Sequence, residues 1–367
     1  MKPSVTRVAA RLAGWLGPWA GARVPAGTTR EILDLRGVGG RRVRTYLTRG
    51  RSRARGVYLV APGLHYAGPD DPRLDRFCRV LAHAGFVVVA PFLADFCALR
   101  IAPTTTDDLA TGLEHALGIA AHERLGGPAV FAISFGSQPA IELCARDVAT
   151  DVSRLVLFGG FCDFDASVRF AISGQATHGG APLALPHDPL NAPVVHLNLL
   201  GHHEAPHDRQ ALAHALRAMV ERTWGRAELK IGDARAAEAT PIAAALDEDT
   251  RRLFLAACGL SSDAEAIFES ALARSRADFS WIDPRPHLRS MRPPVTIVHG
   301  RDDDVIPWPE AEKLAAGLPP GHPREVVLTG LYGHTAAAFP PPRAVIREVR
   351  AMSSVVRALA SATVRGR

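Results

Sequence analysis

Ser134 lies where a buried strand is expected to turn directly into a helix. Residues 128–133 form an apolar, strand-like run, and residues 139–145 are compatible with a helix. Ala132 and Gly136 flank the serine at a distance of two residues, and both are small, as a tight strand-to-helix turn requires. Such a turn, called a nucleophile elbow, exposes the hydroxyl and places the N–H groups of a helix N-terminus beside it. The pattern is typical of a serine nucleophile whose reaction builds up negative charge.

A second chemical pattern, H-E-x-x-H, runs from His203 through Glu204 to His207. In zinc proteases the two histidines lie one helical turn apart. Here Pro206 falls inside that turn, where it removes a backbone donor and clashes with the preceding turn. We therefore expect solvent-facing histidines and no metal site. The glycines of residues 37–40 precede a strand instead of a helix, so they lack the dipole of a phosphate-binding loop, and no cofactor is predicted.

Strand-like and helix-like stretches alternate along most of the chain, which indicates an α/β protein with a mostly parallel sheet flanked by helices. The first two strands are separated by four residues rich in glycine and are expected to form a hairpin. The eight expected strands are residues 28–36, 42–48, 56–61, 86–90, 128–133, 154–158, 294–299 and 325–328.

The alternation stops between residues 161 and 292, where the pattern becomes mostly helical. One helical stripe consists of Leu212, Leu216, Met219, Val220 and Trp224, and Gly225 ends it. Because strands resume afterwards, we expect a largely helical cap inserted between strands 6 and 7. The predicted units are an N-terminal amphipathic segment (1–27), a core (28–160 and 293–367) and the cap (161–292).

Composition excludes some partners. The net charge is +6, and nearly all of the basic residues are arginines that are spread along the chain without interleaved aromatic residues. Nucleic-acid binding is therefore not predicted. The five cysteines are widely spaced and include no C-x-x-C pair, which favours free thiols in a reducing compartment, and so a cytoplasmic location.

Residues 1–23 carry an apolar helical stripe. Its members are Val5, Val8, Leu12, Trp15, Leu16 and Trp19. Arg11 interrupts any continuous apolar run, so a signal peptide is not expected. The stripe predicts a helix that either docks on its own domain or makes peripheral contact with a membrane surface. No run approaches the ~20 apolar residues of a membrane span.

Three motifs in a fixed order resemble the α/β-hydrolase superfamily over about residues 28–360. In that family the nucleophile, acid and base occur in the order Ser, Asp, His, each on a loop after a strand. Ser134, Asp303 and His334 follow this order. In the acid pattern of the family, the Asp lies three residues after a Gly and is often followed four residues later by a Pro. Asp303 matches this pattern. The base pattern, a Gly-His pair after the final strand, is matched by His334.

The resemblance implies a role for each residue. Ser134 attacks an acyl carbon, His334 transfers the proton, and Asp303 orients the imidazole and stabilises its protonated form. The oxyanion hole takes one N–H from Phe135, after the nucleophile, and one from Leu64, in the loop after the third strand.

The sequence also departs from the family pattern. Ala132 replaces the common glycine of the elbow, and the loop of residues 61–64 lacks the common histidine before its glycine. Asp163 or Asp165, after the sixth strand, is an alternative acid, because some members of the family place the acid there.

These features together predict a cofactor-independent serine hydrolase that cleaves a small-molecule ester or thioester through an acyl-enzyme. Leu64, Tyr66 and Phe135 beside the nucleophile suggest an apolar acyl or aryl group. On the same fold, the alternatives are an acyltransferase and a cofactor-free haloperoxidase-like enzyme. A catalytically silent binding protein of this fold is the alternative outside enzymes.

Overall fold

The computed structural model describes residues 3–17, 21–204, 208–331 and 345–362. Within these ranges the strands are β1 (Thr28–Arg36), β2 (Arg42–Gly50), β3 (Gly56–Ala61), β4 (Phe86–Pro91), β5 (Ala129–Ile133), β6 (Arg154–Phe158), β7 (Gln175–His178), β8 (Ala181–Ala184), β9 (Val295–Gly300) and β10 (Arg324–Thr329). The helices are α1 (Pro3–Ala13), α2 (Pro72–Ala84), α3 (Ala94–Cys97), α4 (Thr104–His122), α5 (Ser137–Ala145), α6 (Phe164–Ser173), α7 (Ala192–Asn198), α8 (Arg209–Thr223), α9 (Gly232–Ala243), α10 (Glu248–Ala257), α11 (Ala264–Ser275), α12 (Arg285–Leu288), α13 (Pro309–Gly317) and α14 (Val345–Ser361).

Eight strands form one sheet in the order β1-β2-β4-β3-β5-β6-β9-β10. Strand β2 is antiparallel to both of its neighbours, and the remaining pairs are parallel. The carboxyl ends of β3, β5, β6, β9 and β10 therefore meet at one edge. This is the strand arrangement of the α/β-hydrolase fold, so the fold class expected from the sequence is confirmed.

Helices cover both faces of the sheet. Every residue of β3, β4 and β9 is buried, as expected for central parallel strands that are packed on both sides. One apolar core lies between the sheet and helices α4, α5, α12 and α13. A second core lies on the opposite face, under α1, α2 and α14. At the edge of the sheet, β1 is largely exposed and has no fully buried residue.

Helix α1 packs against α2 and α14. Its apolar stripe is buried in the second core at Val5, Val8, Leu12 and Leu16, whereas Trp19 lies outside the described residues. In this position the stripe is not available to a membrane. Peripheral contact of the stripe with a membrane stays a prediction, and it would require α1 to separate from α2 and α14. Among the described residues, no helix is both long enough and apolar enough to cross a bilayer.

The chain between β6 and β9, called the inserted segment below, contains α6 to α12 and a small antiparallel sheet of β7 and β8. The largely helical insertion between the sixth and seventh strands of the main sheet is therefore confirmed. The β7–β8 hairpin was not predicted. Its strands are mostly exposed and lack the apolar alternation that marks a half-buried strand, and a pair of glycines at positive φ joins them.

Candidate active site

Ser134 occupies the turn between β5 and α5. Its φ of 52° lies in the left-handed region, which residues other than glycine rarely adopt. A Cβ at Gly136 would come within 2.4 Å of Pro62 O and 2.9 Å of Ala61 O, so no side chain fits there. The close approach of the loop after β3 thus explains the small residue at this position, and the strained serine is characteristic of a functional turn.

The loop that follows β3 passes beside this serine. A Cβ at Gly63 would lie 3.3 Å from Ser134 Cβ, so the two backbones are in close contact. The amide of Leu64 donates no hydrogen bond to any described residue, which leaves this N–H free to bind a substrate. Leu64, Phe135 and Ser134 all line the same cavity. The structure thus brings both predicted oxyanion-hole residues to the serine.

Asp303 is the buried member of three consecutive aspartates in the loop after β9, with 4% of its surface exposed. Its Oδ1 accepts hydrogen bonds from the amides of Val305 (3.0 Å) and Ile306 (2.9 Å). Its Oδ2 lies 3.5 Å from Nε2 of His299, a buried side chain that also bonds to Ile306 O. The carboxylate is therefore fixed in one orientation, as a carboxylate that must orient another group requires.

The alternative acids are engaged elsewhere. Asp163 is the N-cap of α6, where its Oδ1 accepts a hydrogen bond from the amide of Ala166 at 3.0 Å. Asp165 forms an ion pair of 3.0 Å with Arg276. Both carboxylates stabilise the inserted segment, so their placement favours Asp303 as the acid.

His334, with the Gly-His motif, lies outside the described residues. The start of its loop is described. Thr329 at the end of β10 is paired with Gly300 at the end of β9, so the loops of the predicted acid and base leave adjacent strands at one edge. The carboxylate of Glu348, in α14, fixes the end of β10 where this loop begins. It accepts hydrogen bonds from Thr329 Oγ1 (2.7 Å) and the amide of Gly330 (2.9 Å).

Glu348 gives a pH-dependent prediction. Burial acts to raise the pKa of its carboxyl, but the hydrogen bonds from Thr329, Gly330 and Arg347 outweigh burial and lower the pKa. A carboxyl whose pKa is depressed on folding stabilises the protein above its unfolded pKa, and this contribution is lost as the pH falls through the folded pKa. We expect Glu348→Gln to lower the free energy of unfolding at pH 7 by about 1–3 kcal/mol, because buried hydrogen bonds to a charge are lost.

Urea unfolding of the wild type and the variant between pH 3 and pH 7 measures this difference, which should shrink as the pH falls below about 4.5. Glu325→Gln is the matched control. Glu325 lies on β10 and its carboxylate forms an exposed ion pair with Arg357, so less than about 1 kcal/mol is expected. A difference that is independent of pH would contradict the ionic role of Glu348.

A cavity of about 620 Å³ opens at Ser134. Its walls are mostly apolar and come from both the core and the inserted segment. The inserted segment supplies Phe164, Val168, Val194, Val195, Leu199 and Trp224, among others. Tyr66, predicted to contact substrate, lies in the wall, where its ring stacks on His65 with 4.5 Å between centroids. The cavity can therefore hold an apolar group beside the serine hydroxyl.

Two lining residues were missed by sequence reasoning. Trp224 was predicted on the buried stripe of a helix, but α8 ends at Thr223 and the indole lines the cavity, 5.4 Å from the ring of His65. The Nδ1 of His65 accepts a hydrogen bond from the amide of Ala67, which places the proton of a neutral ring on Nε2. Burial lowers the pKa of His65. No sequence signal separates Trp224 from the stripe, whereas His65 directly follows the predicted oxyanion residue.

The H-E-x-x-H stretch is described only in part, because His207 lies outside the described residues. His203 stacks on the buried His196, with ring centroids 5.2 Å apart. Burial lowers the pKa of His196 to about 3. Within the described ranges, no group of three or more candidate ligands is arranged to hold a metal ion.

Comparisons with known proteins give structural likenesses only. No protein-family model matches the chain, and no curated protein matches it. Among solved structures, a bacterial brefeldin A esterase, described as a homologue of human hormone-sensitive lipase, is 14% identical, with 98% of this chain and 84% of that chain covered and a TM-score of 0.48. A Pyrococcus furiosus esterase is 12% identical, with coverages of 90% and 89% and a TM-score of 0.47. An esterase domain from Rhodothermus marinus is 13% identical, with coverages of 91% and 97% and a TM-score of 0.44. At these values none of their activities transfers to this chain.

Proposed function

We propose that this chain, which has the α/β-hydrolase fold, is a serine hydrolase that cleaves an ester or thioester through an acyl-enzyme. One observation carries the proposal. Ser134 is held at positive φ at the carboxyl end of β5, and it opens into an apolar cavity beside the amide of Leu64, which donates no hydrogen bond within the described part of the chain. A strained serine next to an available N–H donor is the arrangement that acyl transfer needs.

In the proposed reaction, Ser134 Oγ attacks the acyl carbon of the substrate while His334 takes the proton of the serine hydroxyl. The amides of Leu64 and Phe135 stabilise the oxyanion, and the alcohol or thiol leaves with the proton from His334. Asp303 keeps the imidazole in the tautomer that can accept the proton. A water molecule then attacks the acyl-enzyme, with His334 again acting as the base. The bond between the acyl carbon and Ser134 Oγ breaks, the carboxylic acid is released, and His334 returns the proton to Ser134 Oγ.

The cavity supports an uncharged apolar acyl or aryl group as the part of the substrate that is bound. Two of its polar side chains, those of Asn198 and Arg73, are already bonded within the protein. Asn198 uses its carbonyl oxygen on the amide of Ile101 and its amide group on two backbone carbonyls. Arg73 is paired with Asp71 at 2.8 Å. A charged substrate group would have to displace these bonds, whereas an apolar group leaves them in place.

We also propose that the inserted segment, residues 161–292, acts as a cap on the core formed by residues 28–160 and 293–367. Support comes from the cavity, one side of which is built by this segment.

The five free cysteines are consistent with a cytoplasmic location.

A fluorophosphonate probe tests the function. It should label one residue of the folded protein, which peptide mapping should identify as Ser134, because the probe reacts with serines activated by a base. A series of p-nitrophenyl esters of increasing acyl length should be hydrolysed best where the acyl chain fills the apolar cavity. Labelling without hydrolysis of any ester would favour acyl transfer. A folded protein that neither reacts with the probe nor hydrolyses an ester would favour a silent binding protein.

A further inference from the structure

Lys230 bridges two carboxylates where the inserted segment meets the loop of Asp303. It ends a short 3-10 helix, Ala227–Lys230. Its Nζ lies 3.0 Å from Asp188 Oδ2 and also contacts Asp304 Oδ2. Burial acts to lower the pKa of Lys230, but hydrogen bonds to Asp304 and Asp188 outweigh it and raise the pKa. The ammonium therefore stays charged at neutral pH.

The same junction contains a backbone hydrogen bond, from the amide of Asp188 to the carbonyl of Asp304, with a length of 2.7 Å. Asp304 stands between Asp303 and the two amides, of Val305 and Ile306, that hold the Asp303 carboxylate. A displacement of Asp304 would therefore move both the Asp303 carboxylate and the two amides that orient it. Because orienting a catalytic group depends on small distances, a shift of about 1 Å there can cost about 100-fold in rate.

A run of contacts connects this junction to the opposite side of the cavity. The amide of Leu190 donates to Asp188 Oδ1 at 3.0 Å, and the carbonyl of Leu190 accepts a hydrogen bond from Trp224 Nε1 at 2.9 Å. The indole of Trp224 lies beside the rings of His65 and Tyr66, in the loop that carries the predicted oxyanion residue. The segment from Trp224 to the bridging lysine thus contacts two of the loops around Ser134.

The use of lysine at this position is unusual for this chain. Of 43 basic residues, only those at positions 2, 230 and 313 are lysines. A lysine ammonium is compact and has three donors that rotate freely, so it can serve two carboxylates that approach from different directions. An arginine fork is planar and best matches a single carboxylate. Without the cation, the carboxylates of Asp188 and Asp304 would face each other in a largely buried place.

We propose that Lys230 is a positioning residue of this active site, which ties the inserted segment to the loop of Asp303 by bridging Asp188 and Asp304. The inference rests on the proposed function, because it concerns the residue that orients the base. Lys230 itself does not line the cavity, although its partner Asp188 does, so the loss in kcat should exceed any rise in KM.

The test compares Lys230→Met, Lys230→Arg, Asp304→Asn and the double variant Lys230→Met with Asp304→Asn, using the best p-nitrophenyl ester. Arg252→Met is the matched control, because Arg252 forms an exposed ion pair with Asp263 within the inserted segment. Lys230→Met should lower kcat 10- to 100-fold with KM within threefold, and Lys230→Arg should recover part of the loss. Because Lys230 acts through Asp304, the double variant should lose less than the product of the two single losses. Arg252→Met should keep wild-type kcat.

Circular dichroism and thermal unfolding establish that each variant is folded. A folded Lys230→Met protein with kcat within twofold of wild type would overturn the inference, as would losses that multiply in the double variant. Should Lys230→Met fail to fold, Asp304→Asn decides, because unchanged kcat in that variant is incompatible with the bridge acting through Asp304. If the wild type is labelled at Ser134 and Lys230→Met is labelled at the same rate, only this inference fails. If the wild type is not labelled at all, the proposed function itself fails.

Discussion

Ser134→Ala is expected to lower kcat/KM for p-nitrophenyl esters by on the order of 10⁵ to 10⁶, because removal of the nucleophile eliminates the acyl-enzyme route. The remaining rate comes from substrate binding and the oxyanion donors alone. Initial rates at several substrate concentrations measure kcat and KM separately. KM should change little, because the methyl side chain leaves the apolar walls of the cavity intact.

Ser137→Ala is the control for this substitution. Ser137 begins α5 only three residues further on, and its hydroxyl is fully buried with no hydrogen-bond partner among the described residues. Its loss should leave kcat/KM within about threefold, as expected for a hydroxyl outside the reaction. If Ser134→Ala kept a tenth of the activity while folded, Ser134 would not be the nucleophile.

Asp303→Asn is expected to lower kcat by on the order of 10⁴, because an amide in this place favours the wrong imidazole tautomer. The substitution preserves the size of the side chain and its Oδ1 acceptor for Val305 and Ile306. The loss should therefore appear in kcat, with the fold retained. Steady-state kinetics across pH 6–9, together with near-UV circular dichroism, separate loss of activity from loss of structure.

Asp163→Asn is the matched comparison, since asparagine is as good an N-cap as aspartate and should keep α6 intact. We expect this variant to retain most of the activity. A larger loss in Asp163→Asn than in Asp303→Asn would place the acid after β6. Equal and small losses in both variants would mean that neither aspartate orients the base.

The fold could be predicted because its signals are local. Apolar runs of strand length alternated with helical stripes, and the eight strands of the main sheet appeared where the pattern placed them. The elbow was also readable, since a turn this tight tolerates only small residues, and the carbonyl of Pro62 lies 2.4 Å from where a Cβ of Gly136 would be. The β7–β8 hairpin was missed because exposed strands carry no apolar alternation.

The sequence by itself determined the order of layers, the tight turn at Ser134 and the chain order of serine, aspartate and histidine, since each strand, helix and motif is recognised from a short local stretch. Only the tertiary structure decided that Asp303 is the buried one among its neighbours, that Asp163 caps a helix, and that Trp224 leaves its helix for the cavity. The bridge from Lys230 to Asp304 spans 74 residues. Contacts of this kind depend on how distant segments pack, and neither periodicity nor spacing along the chain encodes that packing.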